Sequence, residues 1–96
     1  MVAKPKSLIV TIRGKVQGVG FRYWTQTEAE KLGLRGWVRN ESDGSVCALI
    51  VGPEHAVDKM LKRFEEGPGA ASVSRVTSES SGKGQSADGF NIVGPD

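Results

Sequence analysis

The reversal at the middle of the chain constrains its fold most. Between "LRGWVRN" (Leu34 to Asn40) and "VCALIV" (Val46 to Val51), two apolar runs that read as strands, stands "ESDGS", where Asp43 and Gly44 supply the chemistry of a tight turn. Strands joined this closely pair antiparallel. On either side the apolar spacing changes from two to three and four. Upstream, "RYWTQTEAEKL" (Arg22 to Leu32) reads as a helix, with Phe21, Thr25, Ala29 and Leu32 on one face and Gly33 as the stop. Downstream, "GPE" opens a second helix, with Gly52 as cap and Pro53 at the first helical position, where its missing N–H costs nothing. Val57, Met60, Leu61 and Phe64 form its buried stripe, and "EEGPG" ends it.

The remaining strands lie toward the ends. "SLIVTIR" (Ser7 to Arg13) presents Leu8, Val10 and Ile12 to one face, and weaker strands run from Val73 to Glu79 and from Phe90 to Val93. The polar stretch "SSGKGQSADG" between the last two is expected to be a mobile loop, and residues 1–6 a flexible tail. The order is therefore β, α, β, β, α, β with a short final strand. A chain of 96 residues has room for one core, so residues 1–96 form a single domain. Antiparallel pairing and right-handed crossovers turn the order into a split βαβ sandwich, its two helices on one face of a mixed, mostly antiparallel sheet.

A hydrophobic fraction of 38% and a charged fraction of 25% are those of a soluble globular protein. No secretory signal follows "MVAKPK", and the longest apolar run, "ALIV", is strand-sized, so a cytoplasmic home and no membrane association are expected. The single cysteine, Cys47, cannot form an internal disulfide, and with one histidine it cannot build a tetrahedral zinc site. No metal and no cofactor are expected.

Charge is unevenly spread. From Arg13 to Asn40 six basic residues (Arg13, Lys15, Arg22, Lys31, Arg35, Arg39) face two acidic ones (Glu28, Glu30), a local +4 within an overall +2. Such a field favours an anionic ligand, although a solvated basic face has the same composition. At its centre is "GKVQGVGFR". Gly14, Gly18 and Gly20 allow positive φ, so successive backbone N–H groups can converge on one anion. The helix after this loop adds its N-terminal donors and the positive end of its dipole, and Arg22 could clamp a phosphate through two parallel N–H bonds. The competing reading is a tight connection with a solvated arginine. The loop fits neither the nucleotide-binding Walker pattern nor the dinucleotide fingerprint.

A second candidate is Asn40, in "GWVRN". In a split βαβ fold its carboxamide can approach Arg22 and hold a water that also contacts a bound phosphate, since an amide both donates and accepts. It can equally be a turn-capping asparagine beside "SDG", and composition alone leans slightly to the cap.

Together, "GKVQGVGFR" and "GWVRNESDGSV" resemble the two signature segments of the acylphosphatase family, and "FNI" is similar to its closing strand; the resemblance runs from about Ser7 to Val93. It implies a ferredoxin-like α/β sandwich and metal-independent hydrolysis of the carboxyl–phosphate bond of acyl phosphates, giving a carboxylate and inorganic phosphate. By position, Arg22 would bind the phosphate and Asn40 would orient the attacking water. The backbone of Val16, Gln17, Gly18, Val19, Gly20 and Phe21 would form the phosphate cradle.

The rest of the inventory agrees with chemistry that needs no strong base. An acyl phosphate is an activated mixed anhydride, so positioning and charge stabilisation can carry the step. His55 reads as a surface helix residue, Cys47 lacks a partner for thiol catalysis, and the acids form no convincing pair; the substrate phosphate could accept the water's proton. Tyr23 and Trp24 read as packing residues more than a substrate platform, and a bulkier residue than Gly20 is compatible with the motif. On the outer sheet face Cys47, Leu49 and Val51 form an apolar stripe, with Ile9 as a candidate member, where relatives often carry polar residues; it is covered by the "SSGKGQ" loop or another molecule, or it is exposed. No dimer follows from it, and a monomer acting on a small molecule is expected. The rivals are a nucleic-acid-binding module, for which the paired-aromatic octapeptide is lacking, and a domain that binds a phosphorylated ligand without hydrolysing it.

Overall fold

The structure, a computed structural model, describes residues 5–81 and 88–94. Seven elements succeed one another: β1 (Pro5–Lys15), α1 (Phe21–Lys31), β2 (Arg35–Asn40), β3 (Val46–Pro53), α2 (Glu54–Glu66), β4 (Ser72–Ser80) and β5 (Phe90–Ile92). The strands form one sheet in the order β4-β1-β3-β2-β5. Every neighbouring pair is antiparallel except β2 with β5, which is parallel. Inserting β3 between β1 and β2 is the split βαβ arrangement that the order of elements predicts.

The core lies between the sheet and the two helices. Leu8, Val10 and Ile12 of β1, Val38 of β2 and Val46, Ala48 and Ile50 of β3 share one face, as period-two alternation demands. Against them pack Phe21 and Ala29 of α1 and Ala56, Val57, Met60 and Phe64 of α2. The Phe21 and Phe64 rings stack at 6.2 Å and Trp24 tilts against Phe21 at 5.3 Å, so the first residue of α1 is held by the centre of the molecule. Each fully buried Val, Leu, Ile, Met or Phe of this core stabilises the fold by roughly 1.5–3 kcal/mol.

Several details differ from expectation. β1 begins at Pro5, and Pro5 and Lys6 already pair with Pro53 and Gly52; residues 1–4, the rest of the expected tail, lie outside the described residues. The same pairing carries β3 on to Pro53, so Pro53 caps α2 and Glu54, not Pro53, is its first helical residue. Residues 82–87, most of the loop expected to be mobile, also lie outside the described residues.

The outer apolar stripe is not exposed. Leu49 retains 1% of its accessible surface, and Cys47 and Val51 are buried. In register, Ile9 and Trp37 flank Leu49, and the Arg39 guanidinium lies 4.6 Å over the Trp37 ring. A further irregularity turns β1 toward its loop. The β1–β4 register shifts between Arg13 and Gly14, where φ is 129° and an added Cβ would sit 2.2 Å from the Ser72 carbonyl oxygen. Only glycine lets β1 bend away so close to β4.

Candidate active site

Because β1 and β2 both run antiparallel to β3, they run parallel to each other and end at the same edge of the sheet. Val46 is in register with Ile12 on one side and Asn40 on the other. At about 4.8 Å per strand spacing, the two backbones are about 10 Å apart. The loop from Val16 to Gly20 leaves β1 at this edge.

Its conformation rests on glycine. Gly18 and Gly20 have φ of 75° and 79°, and Gly20 is the N-cap residue of α1 in the left-handed region. A Cβ at Gly20 would meet nothing within 4 Å, so the constraint is torsional, about 1–2 kcal/mol for another residue. Space alone would admit the bulkier residue anticipated there; the torsion penalises it. α1 has no side-chain hydrogen bond at its cap and no acid in its first turn, so its own sequence supplies no counter-charge to the positive helix end.

Loop and helix enclose a recess of about 230 Å³, lined by Val16, Gly18, Gly20 and Phe21 together with Arg22, Tyr23 and Asn40. It thus brings Arg22 and Asn40, 18 positions apart in sequence, to one cavity. Gln17 and Val19, also expected in the cradle, are not among its lining; Val19 packs against the core and Gln17 extends its side chain elsewhere. Asn40 is half-buried, yet its Oδ1 is fully enclosed and has no hydrogen-bond partner among the described residues.

The neighbouring aromatics divide. Trp24 packs as expected, 6.4 Å from Phe64, whereas Tyr23 is 74% exposed on the rim and is not a packing residue. His55 is exposed at the start of α2. Burial pushes the Cys47 thiol up, which makes it a poorer nucleophile. Among the described residues no three His, Cys, Asp or Glu side chains cluster as metal ligands would.

What sequence reading missed is a polar brace around the recess. The Gln17 Nε2 donates to the carbonyl oxygens of Glu41 (2.7 Å) and Ser45 (2.9 Å), so the loop is tied to the turn after Asn40. In that turn Asp43 Oδ1 accepts from the Ser45 N–H (2.9 Å) and Oγ (2.6 Å), and Oδ2 accepts from Arg13 Nη1 (3.1 Å). The hydrogen bonds from Ser45, with the Arg13 guanidinium, hold the Asp43 carboxyl at about 2, well below its ordinary value. The Asp-Gly-Ser turn carried a local signal; nothing near Gln17 or Arg13 in sequence announced partners 24 and 30 residues away.

A five-stranded split βαβ sheet with two helices on one face, carrying a glycine-loop recess where β1 and β2 end, places the chain among the ferredoxin-like α/β sandwiches. Similarity to known proteins narrows this further. The acylphosphatase family model matches residues 8–92, and the chain belongs to that family. It is 54% identical over 93 residues to an acylphosphatase of Rhizobium meliloti, covering 97% of this chain and 98% of that one. Its fold superposes on the crystal structure of the Bacillus subtilis acylphosphatase with a TM-score of 0.88 at 36% identity, covering 94% of this chain and 99% of the other. An acylphosphatase from Coxiella burnetii gives 0.89 at 35% identity, with 93% of each chain covered.

Proposed function

We propose that this member of the acylphosphatase family hydrolyses the carboxyl–phosphate bond of acyl phosphates without a metal ion, through a backbone cradle, one arginine and one asparagine. The observation that carries the reading is the shared recess: Arg22 and Asn40 line the same 230 Å³ beside the N-terminus of α1. The phosphoryl group sits against the backbone of Val16, Gly18, Gly20 and Phe21, the loop residues that line the recess, with Arg22 supplying a planar pair of donors.

The enclosed Asn40 Oδ1 is an acceptor whose isolation would cost about 1–3 kcal/mol. Asn40 also lines the recess, and its carboxamide, which both donates and accepts, holds a water there facing phosphorus. Attack forms one P–O bond and breaks the bond between phosphorus and the carboxylate oxygen. The water's proton passes to a phosphate oxygen, and the products are a carboxylate and dihydrogen phosphate. Because a carboxylate is a stable leaving group, charge stabilisation and orientation suffice.

The same reading makes the substrate a free small molecule, met by a monomeric protein in the cytoplasm without nucleic acid or cofactor. No helix among the described residues is long and apolar enough to cross a membrane.

The test is turnover of benzoyl phosphate by purified protein in the presence of a chelator, monitored by absorbance. Arg22→Ala is expected to abolish turnover and to weaken inhibition by inorganic phosphate, since two hydrogen bonds to a charged group contribute about 3 kcal/mol or more. Asn40→Ala is expected to keep phosphate inhibition while losing about 100-fold or more in rate. Phosphate binding without turnover would make the protein a phosphate-ligand module, and normal turnover in Asn40→Ala would remove the water-orienting role.

A further inference from the structure

We infer that Gln17 is a positioning residue: its side-chain amide sets the separation between the phosphate cradle and the Asn40 carboxamide, and so controls the rate more than the affinity for phosphate. The inference rests on the proposed acyl phosphate hydrolysis and deepens it.

Gln17 belongs to the glycine loop by its backbone and to the β2–β3 turn by its side chain. A carboxamide nitrogen has two hydrogens, and here each has its own acceptor, the Glu41 carbonyl oxygen at 2.7 Å and the Ser45 carbonyl oxygen at 2.9 Å. The opposite orientation of the amide would set its oxygen against both carbonyls, so the donor assignment is dictated by chemistry. Those two carbonyls close the turn: Ser45 O also accepts from Glu41 N (2.8 Å) and Glu41 O from Gly44 N (3.1 Å). Gln17 is thus an extra rung of the hairpin, placed one residue beyond Asn40.

Among the described residues no other turn or loop hydrogen bond between backbone groups joins positions 16–20 to positions 41–45. Without Gln17 the loop, with two residues in the left-handed region, is located relative to Asn40 through β3, the Arg13–Asp43 ion pair at the end of β1, the packing of Val16 and Val19, and the start of α1, none of which joins the loop's own polar groups to the turn. In-line attack requires the water and the phosphorus to meet at about 3–3.5 Å, and a 1 Å misplacement can cost about 100-fold in rate. Phosphate affinity depends on groups within the loop and α1, which move together.

Three variants read this out. Gln17→Met keeps length and removes both donors; it is expected to lower kcat at least about tenfold while changing the phosphate inhibition constant less than about threefold. Gln17→Lys, whose ammonium can donate to both carbonyls, is expected to recover most of the rate. Combined with Asn40→Ala, Gln17→Met should cost nothing further, because it acts through the residue already removed. Should Gln17→Met unfold, Gln17→Glu serves instead: its rate should climb at acid pH as the carboxyl regains one donor. An unchanged kcat in either, failure of Lys to recover more than Met, or losses that multiply with Asn40→Ala overturns the inference. An unmodified protein without turnover overturns the proposed function as well, whereas an active one with normal Gln17→Met overturns this inference alone.

Discussion

Thr25 shows how one side chain can work against its surroundings. It lies on the buried face of α1 with no accessible surface, and its Oγ1 has no hydrogen-bond partner among the described residues. A threonine in a helix can return its hydroxyl to the carbonyl one turn earlier; here that bond is not made. An enclosed hydroxyl without a partner costs about 1–3 kcal/mol, while valine has nearly the same volume and shape. Thr25→Val is therefore expected to raise the urea midpoint by an amount worth about 1 kcal/mol at unchanged slope, where most buried substitutions destabilise. A loss of that size would mean that the hydroxyl is satisfied by a group such as a bound water. The periodicity of α1 assigned Thr25 to the core from sequence, but a hydroxyl's partner is a matter of ångströms and carries no sequence signal.

At the level of elements, the β2–β3 turn is held together by polar contacts. Asp43 accepts from the Ser45 N–H and Oγ and from Arg13, and its carboxyl is lowered from about 3.8 to about 2. Because the folded value lies below the unfolded one, the bonds stabilise the turn at all pH values above the ordinary carboxylate range and are lost as the pH falls toward about 2. Asp43→Asn should be less stable at neutral pH and should lose less stability than the unmodified protein between about pH 4 and pH 2; parallel urea midpoints in both proteins would show that the carboxylate contributes nothing. The turn itself was legible in Asp43 and Gly44, as were all seven elements, their ends displaced by at most two residues. Local rules of spacing and capping are written in neighbouring residues. Strand order is not, and Arg13, Gln17 and Trp37 take their partners from it: only once β3 separates β1 from β2 can Gln17 reach Glu41 and Ser45, or Trp37 and Ile9 stand in register on either side of Leu49. For the same reason the glycine loop and Arg22 stood out as candidates, while the brace that connects them to Asn40 did not.

For the molecule as a whole, the proposed cradle couples ligand to stability. The loop, the first turn of α1 and Asn40 belong to three elements packed on one core, and Phe21 at the start of α1 stacks on Phe64 of α2. A phosphate bound by these groups has no comparable site in the unfolded chain, so it stabilises only the native state. At tenfold above its dissociation constant the gain is about 1.4 kcal/mol, or a rise in Tm of about 6 to 11 °C for a domain of this size. Phosphate also strengthens burial generally by exclusion from protein surfaces, so the measurement needs a control that removes the site and keeps the salt. Arg22→Ala is that control: in the same phosphate series it should show only the shallow, unsaturating rise of a solvent effect, while the unmodified protein adds a saturating one. Parallel curves for the two proteins would place phosphate somewhere other than the recess between Arg22 and Asn40.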